Sequence, residues 1–184
     1  MLARIHYWLV LTLTSLLSAC RSPAPPPAPP STPPPARATT QPISTTRPTA
    51  READRLDVLE ALFRHQFRHN ASAGQRTVDY FFLALDGGAD PPAALLARFR
   101  NDEKPKVLPA SLATASPSAG VKHKTLGGTG LLFRVNSIAW LDDDTAEATG
   151  GYYEAGLSAS GNTYLVKRKN GHWQVANDQM NWIS

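Results

Sequence analysis

His65 and His69 stand four residues apart in a stretch of helical periodicity, the spacing at which two imidazoles on one helix face can share a metal ion. Arg64 and Arg68 flank them, no third ligand is indicated, and the pair falls near a helix end, where a cationic histidine is favoured on its own account. The chain is therefore expected to hold no metal and no other cofactor. His123 lies between Lys122 and Lys124 in an expected loop and reads as part of a solvated basic patch. Gly156-Leu157-Ser158-Ala159-Ser160-Gly161 has the look of a nucleophile elbow, yet its glycine spacing is wrong and no strand-turn-helix follows. Gly127-Gly128-Thr129-Gly130 precedes a strand, whereas a phosphate cradle opens a helix. Both read as loops. What remains for enzymatic chemistry is a pocket between sheet and helix lined by Tyr80, Trp140, Tyr153 and Glu154, with the carboxylate as general base. The competing reading leaves Glu154 in solvent near a strand end and the tyrosines as core or surface cladding, so no catalytic residue is assigned.

The elements that must position these residues follow from periodicity. Thr49-Ala50-Arg51-Glu52 has the spacing of a capping box. Leu56, Leu59, Phe63 and Phe67, with Val58 and Leu62 beside them, then recur at helical intervals to about His69. This predicts an amphipathic helix whose other side, with Arg55, Asp57, Glu60, Arg64 and Arg68, faces water. Residues 77–85 are aromatic and aliphatic and predict a buried strand, ended by Asp86-Gly87-Gly88. Asp90 as N-cap and Pro91 at the first helical position predict a short helix through Leu95, Leu96 and Phe99. Between residues 101 and 130 three prolines, Pro105, Pro109 and Pro117, predict loop around one strand at 106–110.

Residues 131–141, 145–155, 163–169 and 172–177 predict four successive antiparallel strands. In the second, the small side chains of Ala146, Ala148 and Gly150 share a face that lets a helix approach closely. Asn170-Gly171 is a strong hairpin signal, and a two-residue turn there pairs Lys169 with His172, Arg168 with Trp173, Val166 with Val175 and Tyr164 with Asn177. The whole predicts an α+β fold, an amino-terminal helix and a short second helix packed on a curved antiparallel sheet that ends in a four-stranded meander.

Charge and cysteine usage bound the function. Of 19 basic residues, Arg4, Arg21, Arg37 and Arg47 precede residue 51, where no acidic residue lies, so residues 51–184 carry 15 of each sign. A formally neutral domain lacks the basic excess of a nucleic-acid binder, and no nucleic-acid partner is expected. The one cysteine, Cys20, excludes an internal disulfide. Residues 1–19 read as a secretory leader, with Arg4 followed by an apolar run of roughly a dozen residues, shorter than the roughly 20 that span a bilayer. Residues 20–50, with Pro25-Pro26-Pro27 and Pro33-Pro34-Pro35, read as a disordered tether reaching on the order of 90 Å at about 3.1 Å per residue. Residues 51–184 are left as a single α+β domain.

Leu17-Ser18-Ala19-Cys20 resembles the lipobox of bacterial lipoproteins. That resemblance implies cleavage before Cys20, a lipid on its thiol and amino group, and a bilayer as partner. With the non-acidic Arg21 following, it implies the outer membrane, facing the periplasm. The order of elements, together with a tyrosine strand, glycine turn and tryptophan strand from Gly161 to Val175, resembles the closing hairpin of nuclear-transport-factor-two-like and cystatin-like domains. Members of that superfamily include enzymes, ligand carriers and interaction modules, so the resemblance implies a helix on a curved sheet and leaves the activity open. The expectation is a non-enzymatic module binding a protein or envelope component, of inhibitor or immunity type in one version. The alternative is a small-ligand carrier or enzyme using a cone-shaped pocket.

Overall fold

In the computed structural model, which describes residues 50–184, helix α1 spans Ala50–His69. The predicted leader, Cys20, the tether and Thr49 of the capping box lie outside the described residues. Val58, Leu59, Leu62, Phe63, Gln66 and Phe67 are the buried residues of α1, one stripe at the 3.6-residue period. Each apolar member contributes about 1.5–3 kcal/mol relative to an exposed side chain. The opposite face is not simply solvated, as the sequence reading had it. Arg64 pairs with Glu60 at 2.8 Å and Asp102 at 3.3 Å, with its guanidinium 4.7 Å from the centre of the Phe99 ring. Arg98 pairs with Asp57 at 2.6 Å and Glu60 at 3.0 Å. These half-buried ions fasten the segment containing α2, Ala93–Ala97, against α1.

The second helix begins later than expected. Pro91 precedes Pro92, a context that disfavours helical backbone, and Pro92 is extended, so the first turn opens only at Ala93. Asp90 does not cap it. Its carboxylate accepts the Ser111 amide at 2.8 Å instead.

Eight strands form one sheet: β1 Tyr80–Ala84, β2 Lys106–Pro109, β3 Ala113–Ser116, β4 Gly120–His123, β5 Thr129–Trp140, β6 Thr145–Ala155, β7 Ser158–Lys169 and β8 His172–Ile183. The main path runs β2-β1-β5-β6-β7-β8, with the β3–β4 hairpin joined to the start of β5. The sheet is mixed, not antiparallel throughout, because β1 lies parallel to both β2 and β5. A crossover carrying α2 returns the chain in the same direction, which a hairpin cannot do. The expected loop at 101–130 holds three short strands, where only one was predicted. Ladder hydrogen bonds, with little apolar alternation, define the other two.

The carboxy-terminal meander β5-β6-β7-β8 is antiparallel. Asn170 (φ 52°) and Gly171 (φ 78°) make the tight turn. Lys169, Arg168 and Val166 face His172, Trp173 and Val175, but Tyr164 lies opposite Asp178, not Asn177, because Ala176 is an extra residue in the ladder. The core lies between α1 and this sheet, where Phe67, Phe81 and Phe133 meet with ring centres 4.6–5.0 Å apart. At Gly150 the helix approaches β6 closely, since a Cβ there would lie 2.8 Å from Gln66 Nε2.

Candidate functional site

The four residues of the expected pocket do not converge. Glu154 accepts hydrogen bonds from Gln75 Nε2 and Ser158 Oγ, both at 2.7 Å, which ties its carboxylate to the loop after α1. Tyr153 faces away from the helix, opposite Leu132 and Ala159. Tyr80 packs against Phe82 and His123, with ring centres 5.6 and 5.2 Å away. Trp140 is eight residues beyond Leu132 on β5, about 26 Å at the strand rise. There it meets Trp173 edge-on at 5.5 Å, with the Arg51 guanidinium 4.4 Å from its ring centre. Trp140 and Tyr153 thus sit at opposite ends of the same ladder. A single pocket is geometrically excluded.

The other motifs have structural partners. His123 is not in a solvated loop but on β4, 8% exposed, where its Nδ1 accepts the Thr125 and Leu126 amides at 3.2 Å. Gly127 and Gly128 turn the chain into β5, and the Thr129 amide donates to Asp79 at 3.2 Å. Ser158 donates to the Glu154 carboxylate and accepts from Gln75, and among the described residues no imidazole pairs with it.

What the fold does assemble is a polar cluster under the last turns of α1. His65 Nε2 lies 2.8 Å from Asp178 Oδ2, and Asn162 Nδ2 donates to Asp178 Oδ1 at 2.7 Å. Ser160 Oγ donates to Asn162 Oδ1 at 3.0 Å. Gln66 Nε2 donates to the Arg134 carbonyl at 3.0 Å and lies 3.3 Å from Tyr164 Oη, while the Tyr164 hydroxyl donates to Asn70 Oδ1 at 3.4 Å. Burial pushes the Tyr164 phenol well above its ordinary pKa, with the nearby Asp178 charge acting in the same direction. His69 stacks on His65 with ring centres 4.4 Å apart.

A carboxylate that orients an imidazole is the base half of a nucleophilic triad. The nucleophile half is missing among the described residues. The Ser160 hydroxyl is spent on Asn162, and the phenol is held protonated by burial. Among the described residues no group of three or more His, Cys, Asp or Glu is arranged to hold an ion. The cluster acts as a clamp joining α1 to β7 and β8.

Beside the clamp runs a shallow trough between α1 and β8. Three open grooves share its walls, of 320 Å³ around Ala61 and Trp173, 280 Å³ around His65, Arg68 and Val175, and 230 Å³ around His69, Asp178 and Met180. β8 is the terminal strand of the main path, so among the described residues one side of it has no partner strand. Met180, Trp182 and Ile183 near its end are 55%, 54% and 64% exposed. Neither this edge nor the clamp was foreseen from sequence. Comparison with family models, with curated proteins and with solved structures returns no match for this chain.

Proposed function

We propose that the chain is a bacterial envelope lipoprotein, acylated on Cys20 and facing the periplasm from the outer membrane. Its domain is a non-enzymatic module that binds another protein or an envelope component. An inhibitor or immunity role is one concrete form, since blocking an enzyme requires only a complementary surface. The observation that carries the binding reading is the filled interior. Phe63, Phe67, Phe81, Phe133 and Tyr164 are 0–8% exposed and occupy the space between helix and sheet where a carrier or cone-site enzyme holds its ligand. Recognition then falls to the outside, and the trough along β8 combines polar groups with exposed apolar ones, the composition of an interface rim and centre. The helix-then-meander order supports a distant relation to the nuclear-transport-factor-two-like superfamily.

Labelling with a palmitate analogue followed by crosslinking in intact envelopes tests both halves. The native chain is expected to take up the label, a Cys20→Ser chain to take up none, and crosslinking to trap a stoichiometric partner. Equal labelling of the two chains overturns the anchor. Repeated absence of any crosslinked partner overturns the binding role.

A further inference from the structure

His65 is oriented by a chain of buried polar groups. Its Nε2 meets Asp178 Oδ2 at 2.8 Å, Asn162 Nδ2 donates to Asp178 Oδ1 at 2.7 Å, and the Ser160 hydroxyl donates to Asn162 Oδ1 at 3.0 Å. Ser160 and Asn162 are 4% and 3% exposed. A neutral His65 that donates its Nε2–H to the carboxylate keeps its lone pair on Nδ1, which bonds to no other described residue. A carboxylate behind an imidazole is the usual support of a metal-binding histidine, because it fixes the tautomer and makes the other nitrogen more basic.

His65, His69, Asp178 and Met180 line one groove of 230 Å³. α1 and β8 run side by side in the same direction, since Asp54 meets Trp173 and His65 meets Asp178. One helical turn beyond His65, about 5.4 Å, brings His69, and two residues beyond Asp178, about 7 Å, bring Met180. Met180 lies opposite Asn162 and so shares the face of Asp178 that looks toward α1. His69 makes no hydrogen bond with another described residue, and its ring stacks on His65 with centres 4.4 Å apart. The spacing of the histidines indicated no third ligand, and the fold brings a thioether to them.

We propose that His65, His69 and Met180 bind copper(I), with Asp178 as the positioning residue behind His65. The donor set selects the ion. Thioether sulfur is a soft ligand that favours copper(I), and imidazole suits copper as well. Zinc takes a tetrahedral set of nitrogen, oxygen and thiolate ligands, and no three His, Cys, Asp or Glu among the described residues are arranged to supply one. Calcium and magnesium need several oxygen ligands, whereas the one carboxylate on this groove is already shared by His65 and Asn162. That carboxylate matches the single charge of copper(I). The two rings lie 27° from parallel, so the exposed His69 swings out of the stack to share an ion with His65. The bound ion then ties the last turn of α1 to β8.

The only methionines of the chain are Met1 and Met180, so methionine labelled with carbon-13 at its methyl group reports on the site directly. In the full-length chain in detergent, silver(I), a redox-inert stand-in for copper(I), is expected to move the Met180 signal, and zinc(II) to leave it in place. Copper(I) affinity is read under ascorbate by competition with a chromophoric chelator. It should fall about tenfold or more with Met180→Leu and with His69→Gln, exposed side chains outside the clamp, while the unfolding midpoint without metal stays unchanged. Cys20→Ser should bind copper(I) as the native chain does. A Met180 signal that silver(I) does not move overturns the proposal. So does copper(I) affinity that is indifferent to His69→Gln, or that is lost with Cys20→Ser. None of these outcomes bears on the partner-binding reading, which crosslinking tests separately.

Discussion

Gly150→Ala tests how closely α1 is seated on the sheet. The new methyl would press on the Arg134 carbonyl and lie 2.8 Å from Gln66 Nε2. Neither neighbour retreats cheaply. Arg134 is held in the β5–β6 ladder opposite Gly151, and its carbonyl accepts the Gln66 hydrogen bond at 3.0 Å. Gln66 is fully buried, and its Oε1 already has no partner among the described residues. Forcing a methylene-sized group into a packed core costs about 1–3 kcal/mol, and orphaning a buried amide costs about 1–3 kcal/mol more, so a loss of about 2–6 kcal/mol is expected in all. Gly74→Ala supplies the opposite sign. Gly74 already has helical backbone (φ −63°, ψ −42°) and nothing within 4 Å of its would-be Cβ, so alanine should stabilise by about 0.4–1 kcal/mol through the unfolded chain. Guanidinium unfolding followed by tryptophan fluorescence compares the two, with equal m-values as the condition that stability alone has changed. If Gly150→Ala unfolds at the same denaturant concentration as Gly74→Ala, the helix does not rest on β6 and the packing argument fails.

Two further outcomes follow from the clamp. Asp178→Ala removes the acceptor shared by His65 and Asn162, and should lower stability by about 1–3 kcal/mol in the same unfolding assay, whereas an unchanged midpoint would mean the cluster joins nothing. The Tyr164 phenol is raised above its unfolded value of about 10, so the stability it contributes is fully present below pH 10 and lost as pH climbs toward the folded value. An absorbance titration at alkaline pH should show one tyrosine ionising only with unfolding, and Tyr164→Phe should erase that late step.

The parts of this fold that are written locally were legible. A stripe from Leu56 to Phe67 specifies a buried helix face, because period alone places those side chains on one side. Asn170-Gly171 specifies its turn, since two consecutive left-handed residues are tolerated by few other pairs. The pairing of β1 was not legible, because a buried run such as Phe81-Phe82-Leu83 says nothing about which strands will flank it or in which direction. Gln66 was hidden for a different reason. A polar residue on the apolar stripe looks like a defect until β5 supplies the carbonyl it bonds.

The clamp and the open edge escaped a local reading for one shared cause, which is the position of the bulges. Counting back from the turn without Ala176 as an extra residue turns Asn177 toward the helix and sends Asp178 to the opposite face, away from His65. The bulge reverses that parity, and the only carboxylate of β8 is drawn inward. The same step leaves the outer side of the strand without charge. A second extra residue, Asn181, restores the alternation so that Trp182 lies over Gly161 on the face away from α1, where a side chain on residue 161 would collide with the indole. Two single-residue insertions thus place Asp178 and the exposed apolar end of β8. A side-chain period of two makes such insertions decisive, and they leave no compositional mark by which a sequence shows them.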